Sequence, residues 1–286
     1  MTTHPSWIRV RVPTPAQAQG MAEMRALLAQ HQLETVCQAA QCPNAVECWS
    51  ARTATFMVLG KTCTRNCRFC DVATGNPSGW LDHDEPRRLA AAVAELGLAY
   101  VVLTSVDRDD LPDGGADGFA RVIDALQNEQ VIIEALIPDF RGNRAAVERL
   151  ASTGAAVIGH NLETVRRLTP ALRDVRAGYD QSLDVLRVLS EASGERKVKS
   201  GLMVGLGETL DEITQAMMDL REAGVDILTI GQYLRPSEKA VPVERFVPPH
   251  EFESMAAQAR ALGFASVVAG PLVRSSYHAA ATFSAT

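Results

Sequence analysis

All six cysteines of this chain fall between residues 37 and 70, in two triads, Cys37-x4-Cys42-x5-Cys48 and Cys63-x3-Cys67-x2-Cys70. Thiolates at short, fixed spacings suit the cubane iron–sulfur clusters that proteins hold through cysteine. A cluster held by three cysteines keeps one iron for another ligand. Two incomplete sets therefore point to two clusters, each with its fourth position taken by a group other than cysteine. That arrangement serves catalysis better than it serves structure.

Two plainer readings compete. Disulfides need an oxidising compartment and dominate small scaffolds without a core. Here 286 residues, 47% of them hydrophobic, suffice for a large core, and Met1–Val12 lacks the apolar run of a secretory signal. Zinc is the stronger rival, because Cys67-x2-Cys70 alone suits a zinc ribbon. Zinc sites usually pair one such motif with a second, or with closely spaced histidines, and His31 and His83 are not so placed.

The formal charge of −6 provides no overall basic footprint for nucleic acid. No apolar stretch approaches the roughly 20 residues of a membrane span, and the arginines at 9 and 11 are too few for a transit peptide. The expectation is a soluble, cytoplasmic protein with neither nucleic acid nor membrane as partner.

From residue 54 onward, continuous apolar, β-branched runs alternate with helical patterns. The expected strands are Thr55–Gly60, Tyr100–Ser105, Val131–Leu136, Ala156–His160, Val198–Val204, Asp226–Gly231 and Ser266–Gly270. Such runs fit strands buried on both faces of a parallel sheet. Helix signals lie between them: Asp84 before Glu85-Pro86 with a stop at Gly97, Asn143 before 144–153, and the capping box Thr209-x-x-Glu212. Pro248-Pro249 introduces a last helix, closing at Gly263. Repeating strand–helix units argue for an α/β barrel or a doubly wound sheet. In a barrel the active site lies at the C-terminal ends of the strands, where the Cys63–Cys70 loop falls. Residues 1–53 form an N-terminal extension carrying the first triad, with a helix near Ala16–Gln32; 54–270 form the barrel. Residues 271–286 form a tail whose small-residue end, Ala279–Thr286, reads as disordered.

The spacing Cys-x3-Cys-x2-Cys, with Phe69 before the last cysteine, resembles the radical S-adenosylmethionine (SAM) superfamily. The longer strings His31–Trp49, Thr53–Pro77, His160–Val165, Lys199–Thr209, Gly231–Ser237 and Gly270–Ala279 resemble the lipoyl synthase family, over roughly residues 13–279. The resemblance implies a partial (β/α)6-type radical SAM barrel with N-terminal and C-terminal extensions. It implies a [4Fe–4S] cluster on Cys63, Cys67 and Cys70 whose open iron binds SAM, yielding a 5′-deoxyadenosyl radical. It further implies an auxiliary [4Fe–4S] cluster on Cys37, Cys42, Cys48 and a serine of Arg274-Ser275-Ser276-Tyr277, with Ser276 the expected ligand. In that family the auxiliary cluster is sacrificed as the sulfur source for C6 and C8 of an octanoyl chain. The partners implied are an octanoylated lipoyl-carrier domain (a 2-oxoacid dehydrogenase E2 or the glycine cleavage H protein), a low-potential electron donor and an iron–sulfur assembly or repair protein.

Taken without the resemblance, Ser275-Ser276 is a polar turn after a strand. Candidate SAM contacts are Phe69 in the cysteine loop and Thr104, Ser105, Glu134, Asn161, Arg176 and Lys199, at or just beyond strand ends on the cluster side; ordinary caps and ion pairs occupy such places too. Met203 reads as core. Gly205-x-Gly207 is no dinucleotide fingerprint, since Leu210 stands at the third glycine position, though it allows a close backbone approach. Asp107–Asp110 is either a solvated charge run or a loop touching SAM or substrate. Gln41, Ala45-Val46, Lys61, Ala279-Ala280 and Lys239–Val243 depart from the family pattern without removing a cluster ligand. They leave room for a second reading, a divergent radical SAM sulfur-insertion paralogue acting on another acyl carrier.

Overall fold

The computed structural model describes residues 4–9, 12–39, 42, 44–192, 194 and 196–284; the expectation placed on Gln41 and the last two residues of the one placed on Ala279–Thr286 lie outside these described residues. Helix α1 (Pro15–Gln30) opens at a capping box, with the Thr14 side chain accepting from Gln17 N–H and the Gln17 side chain accepting from Thr14 N–H. These reciprocal bonds satisfy donors that every helix start leaves orphaned. Strand β1 (Glu34–Thr35) and the short helices α2 (Val36–Ala39) and α3 (Ala45–Ser50) follow. Next come β2 (Thr53–Val58), β3 (Thr62–Cys63) and β4 (Ala73–Thr74), the last two pairing in parallel around the second cysteine loop. The chain then alternates through α4 (Glu85–Leu96), β5 (Tyr100–Ser105), α5 (Ala116–Ala125), β6 (Ile132–Leu136), α6 (Arg144–Ala151) and β7 (Val157–Gly159). It continues with α7 (Thr169–Leu172), α8 (Tyr179–Ala192), β8 (Lys197–Val204), α9 (Leu210–Glu222), β9 (Ile227–Gln232), α10 (Pro249–Ala261), β10 (Ser266–Gly270) and α11 (Ala279–Ser284).

The expected strands form, with boundaries shifted by at most two residues. The helix signals also hold locally. Gly97 closes α4 in the left-handed conformation (φ 58°), which glycine adopts without the clash of a Cβ. The Asn143 side chain accepts from Ala146 N–H at the start of α6, and Thr209 and Glu212 form their capping box on α9.

The principal sheet runs β1-β2-β5-β6-β7-β8-β9-β10, with β1 antiparallel to β2 and every later neighbour parallel. A doubly wound sheet reverses its strand order at a switch point. This order never reverses, so the sheet is a singly wound partial barrel, in which β10 adds a seventh parallel strand to the six of the barrel type. Among the described residues no pairing joins β10 to β2, and the barrel stays open on that side.

Successive side chains on a strand alternate between faces. Phe56, Val58, Val101, Leu103, Ile133 and Ala135 point outward into the main core, with Leu89 of α4 and Phe119 and Ile123 of α5. Tyr100 and Val102 point inward and meet Ala279 and Phe283 of α11. The tail is therefore not disordered as its composition suggested: 279–284 is helical, with Ala279 1% exposed. Small residues lack the bulk for an amphipathic signal, but they fit a narrow bore. Glycine on β9 allows the tail to lie close, since a Cβ on Gly231 would stand 2.2 Å from the carbonyl oxygen of Val273. Among the described residues no helix is long and apolar enough to cross a membrane.

Candidate active site

The Cys63–Cys70 loop leaves β2 at the C-terminal end of the barrel and is tied down along its length. Thr64 N–H donates to the Asp107 carbonyl (3.0 Å), Asn66 N–H to Asp174 Oδ2 (3.0 Å) and Arg68 N–H to the Leu172 carbonyl (2.8 Å). Two peptide N–H groups point at sulfur: Arg65 N–H at Cys63 Sγ (3.4 Å) and Asp174 N–H at Cys67 Sγ (3.3 Å). Inside the barrel mouth lies a cavity of about 320 Å³ whose walls include Cys63, Cys67, Phe69 and Cys70. Val36, the residue before Cys37, and Met57 of β2 also line it. The second triad thus lines this space, and the segment that leads into the first triad reaches it at Val36.

The first triad is closed by the tail. Asn44 Nδ2 donates to the Leu272 carbonyl (2.6 Å), Tyr277 Oη lies 3.2 Å from Glu47 Oε2, and His278 Nε2 lies 3.3 Å from Glu47 Oε1. The Cys37, Cys42 and Cys48 thiols are near enough to interact electrostatically; Arg274 does so with Cys42, and His278 N–H donates toward Cys48. Asn161 Nδ2 donates to Ser275 Oγ (2.9 Å). Half-buried Ser276 makes no side-chain hydrogen bond among the described residues.

All six cysteines are free thiols, which removes the disulfide reading. Burial pushes Cys48 and Cys67 up to about 12 and Cys63 up to about 11, and raises Cys42 and Cys70. Buried thiolates need a compensating positive charge, and a bound metal centre provides one. Among the described residues no three His, Cys, Asp or Glu side chains stand close enough to hold a single metal ion. Each triad offers the three thiols, at short spacings along the chain, by which a cubane cluster is held.

Of the expected SAM contacts, Phe69, Thr104, Ser105 and Asn161 line the cavity. Ser105 Oγ and Asn161 Oδ1 are buried without a hydrogen-bond partner. Such orphaned atoms each cost about 1–3 kcal/mol, and a polar ligand in the cavity would satisfy them. Glu134, Lys199 and Arg176 are not brought to this lining. Lys199 Nζ and Tyr100 Oη each donate to Glu134 (2.8 Å both), a closed buried network just beneath it. Arg176 pairs with Asp174 and Asp109 and donates to the Thr64 carbonyl, bracing the cysteine loop from behind. Met203 packs with Leu172, Leu206 and Tyr233, and Gly205 lies against Gln232 and Arg245.

Sequence reasoning passed over five ionisable residues on the cavity wall: Arg65, Asp139, His160, Glu163 and Arg173. Glu163 adopts φ 71°, rare outside glycine, and its N–H and carbonyl are taken by Gly201 and Met203 of β8. Burial raises its carboxyl pKa, against the pull of Arg173. His160 is neutral: burial, then Arg173, push it down to about 4. Its Nδ1–H donates to the Ile137 carbonyl and its Nε2 accepts from Ser182, which in turn accepts from Arg173 Nη1. The one available signal was position: His160 and Glu163 lie in the HNLETV string, and Arg65 between two cysteines. The Asp107–Asp110 run is no solvated loop, for Asp107 lines the cavity and Arg108 is 1% exposed, bonded to Asp110, Leu59 and Trp80.

A family model described as the radical SAM superfamily matches residues 57–220. The lipoyl synthase of Deinococcus radiodurans is 53% identical over 277 residues, covering 96% of this chain and 83% of that one. Those of Pyrobaculum arsenaticum (52%; 98% and 94%) and Thermus thermophilus (53%; 98% and 86%) are equally similar. Among solved structures, the [FeFe]-hydrogenase maturase HydG superposes with a TM-score of 0.55 at 16% identity, over 96% of this chain and 65% of that one. Streptococcus suis SuiB bound to S-adenosylmethionine superposes at 0.52 and 12% identity, over 94% of this chain; the chain spans 56% of its length. At such identities these two speak for the fold alone. The chain belongs to the lipoyl synthase family of the radical SAM superfamily, whose members are radical SAM sulfurtransferases.

Proposed function

We propose that the protein inserts two sulfur atoms, at C6 and C8, into an octanoyl chain held as an amide on a lysine of a carrier domain. In this reading Cys63, Cys67 and Cys70 hold one [4Fe–4S] cluster and leave an iron for SAM. Cys37, Cys42, Cys48 and Ser276 hold the other. When bound, the SAM-liganded cluster supplies the 5′-deoxyadenosyl radical and the auxiliary cluster supplies the sulfur. The observation that carries the reading is the shared cavity, walled by the second triad and by Val36 beside the first. Each carbon that gives up a hydrogen, C6 or C8, must then capture sulfur itself, so both centres need to reach one space.

The chain's own groups have distinct tasks. Ser105 Oγ and Asn161 Oδ1, buried and unpartnered, meet the polar groups of SAM. Met57, Val106, Leu136 and Ile137 form an apolar wall that suits an alkyl chain and excludes water from a radical. Serine is a harder, weaker iron ligand than cysteine, so Ser276 can release an iron as its cluster is consumed. Residues 1–53 then form the auxiliary-cluster extension, 54–270 the radical barrel and 271–286 the serine-bearing tail. The carrier is an octanoylated E2 or H-protein domain, met in the cytoplasm together with a low-potential electron donor and a cluster-repair protein.

The test is iron and acid-labile sulfide per chain on anaerobically reconstituted protein, followed by SAM, reductant and an octanoyl-lysyl peptide. About eight irons and a doubly thiolated octanoyl product are expected. Eight irons with SAM cleavage but no thiolation would transfer the activity to another acyl carrier, and zinc without sulfide would overturn the enzyme reading.

A further inference from the structure

Arg65 sits inside the cysteine loop, yet its side chain points away from solvent and is 2% exposed. Its guanidinium grips two carboxylates at once. Nε and Nη2 donate to the two oxygens of Asp109 (2.9 Å each), and Nη1 donates to Asp139 Oδ2 (2.7 Å), with Asp107 Oδ1 at 3.4 Å. Asp107 and Asp109 follow β5, and Asp139 follows β6. One side chain therefore ties the loop to the ends of two barrel strands.

Asp139 is a hub in its own right. Fully buried, it also accepts from Gln181 Nε2 (2.9 Å) and from Arg141 N–H (2.9 Å). It anchors the left-handed turn Phe140–Gly142, where φ is 47°, 55° and 73° in succession. Strain of that kind persists only where the surroundings over-determine it. Neither Arg65 nor Asp139 has an ordinary surface role, and both line the cavity.

We propose that Arg65, held by Asp139 and Asp109, is the positioning residue of the radical-generating centre. It sets the shape of the Cys63–Cys70 loop so that the three thiols and the SAM-binding iron site keep one geometry. The argument rests on the fork. Five N–H donors in one rigid plane hold Asp109 bidentately and Asp139 at the same time, and a lysine, with its three donors on a single nitrogen, cannot reproduce that fork. The inference depends on the ligand role of Cys63, Cys67 and Cys70 but not on the acyl substrate.

The experiment uses the anaerobically reconstituted full chain carrying Arg65→Lys, reduced and titrated with SAM. It reads the SAM-dependent change in the EPR spectrum and the midpoint potential of the cluster that shows it. Outer-shell partners of metal sites typically alter affinity or activity about 10- to 100-fold. The expected result is a rise of at least about tenfold in SAM at half-change, with a shifted potential, in a folded protein that still loads iron. Half-change within twofold of wild type, at an unshifted potential, would overturn the proposal even if the melting temperature fell. Should Arg65→Lys fail to fold, Asp139→Asn, which keeps the shape and removes the charge, must show the same rise or the proposal fails. A separate control locates any failure in the ligand assignment: Cys63→Ala must abolish the SAM-dependent spectral change.

Discussion

Adjacent serines in the tail do different work. Ser275 Oγ is engaged by Asn161 Nδ2, whereas Ser276 Oγ has no hydrogen bond among the described residues and belongs to the segment that closes the first triad. Ser276→Ala should leave SAM cleavage intact and lower sulfur insertion at least as much as the roughly 10- to 100-fold typical of an outer-shell change. Ser275→Ala, which breaks one hydrogen bond, should cost only a few-fold. Product quantification beside 5′-deoxyadenosine release tests both, and the reverse pattern would move the ligand to Ser275. His160 makes a different prediction. Its folded pKa, about 4, lies below the ordinary value of 6.5, so the unfolded chain binds the extra proton between those values. The stabilisation is complete above pH 6.5 and is lost progressively as pH falls toward 4, by about 3 kcal/mol. Denaturant unfolding across that window should show the decline, and His160→Gln should flatten it.

At the scale of elements, helix starts and stops were legible because each is written locally: Asn143 with Ala146, Thr209 with Glu212, Gly97 at a left-handed stop. α11 was not legible, because its only reason to form is tertiary. Its Ala279 and Phe283 cover Tyr100 and Val102 inside the barrel. Deleting residues 279–286 should therefore unmoor the serine tail. The expected outcome is loss of iron from the first triad, with the SAM-dependent EPR signal of the second retained; iron counts and spectra on the truncated chain decide it. Retention of about eight irons would show that Asn44, Glu47 and Asn161 hold the tail unaided. The departure at Lys239–Val243 also gains a place: Val241 N–H donates to the Arg68 carbonyl (2.9 Å) and Val241 packs near Phe69. Variation there bears on the cysteine loop itself.

For the whole molecule, the open barrel is the decisive feature. A closed barrel would fill its bore with layers of side chains. Here, among the described residues, β10 and β2 do not pair with each other, and the tail lies along β9 at Gly231 and reaches Asn44 and Glu47 of the N-terminal segment. The tail thus meets the N-terminal segment beside the first triad, while the second triad lines the cavity at the strand ends. Neither triad alone implies this. It follows from a barrel left open far enough for a tail to enter.

Sequence by itself determined the two thiol sets, the strand–helix alternation, the end of the barrel on which the second triad sits and the family strings. Each is a matter of spacing or local hydrogen bonding, which a chain carries wherever it goes. Tertiary structure alone decided which charged residues face the cavity. Glu134 and Lys199 turned inward to each other across β7, where Gly159, without a Cβ, lets the Lys199 carbonyl of β8 come close. Arg65 and Asp139, 74 positions apart in the chain, met behind the cysteine loop. A buried charge takes whatever partner the fold brings within reach, because leaving it unpaired in a low-dielectric interior costs more than any local preference can return.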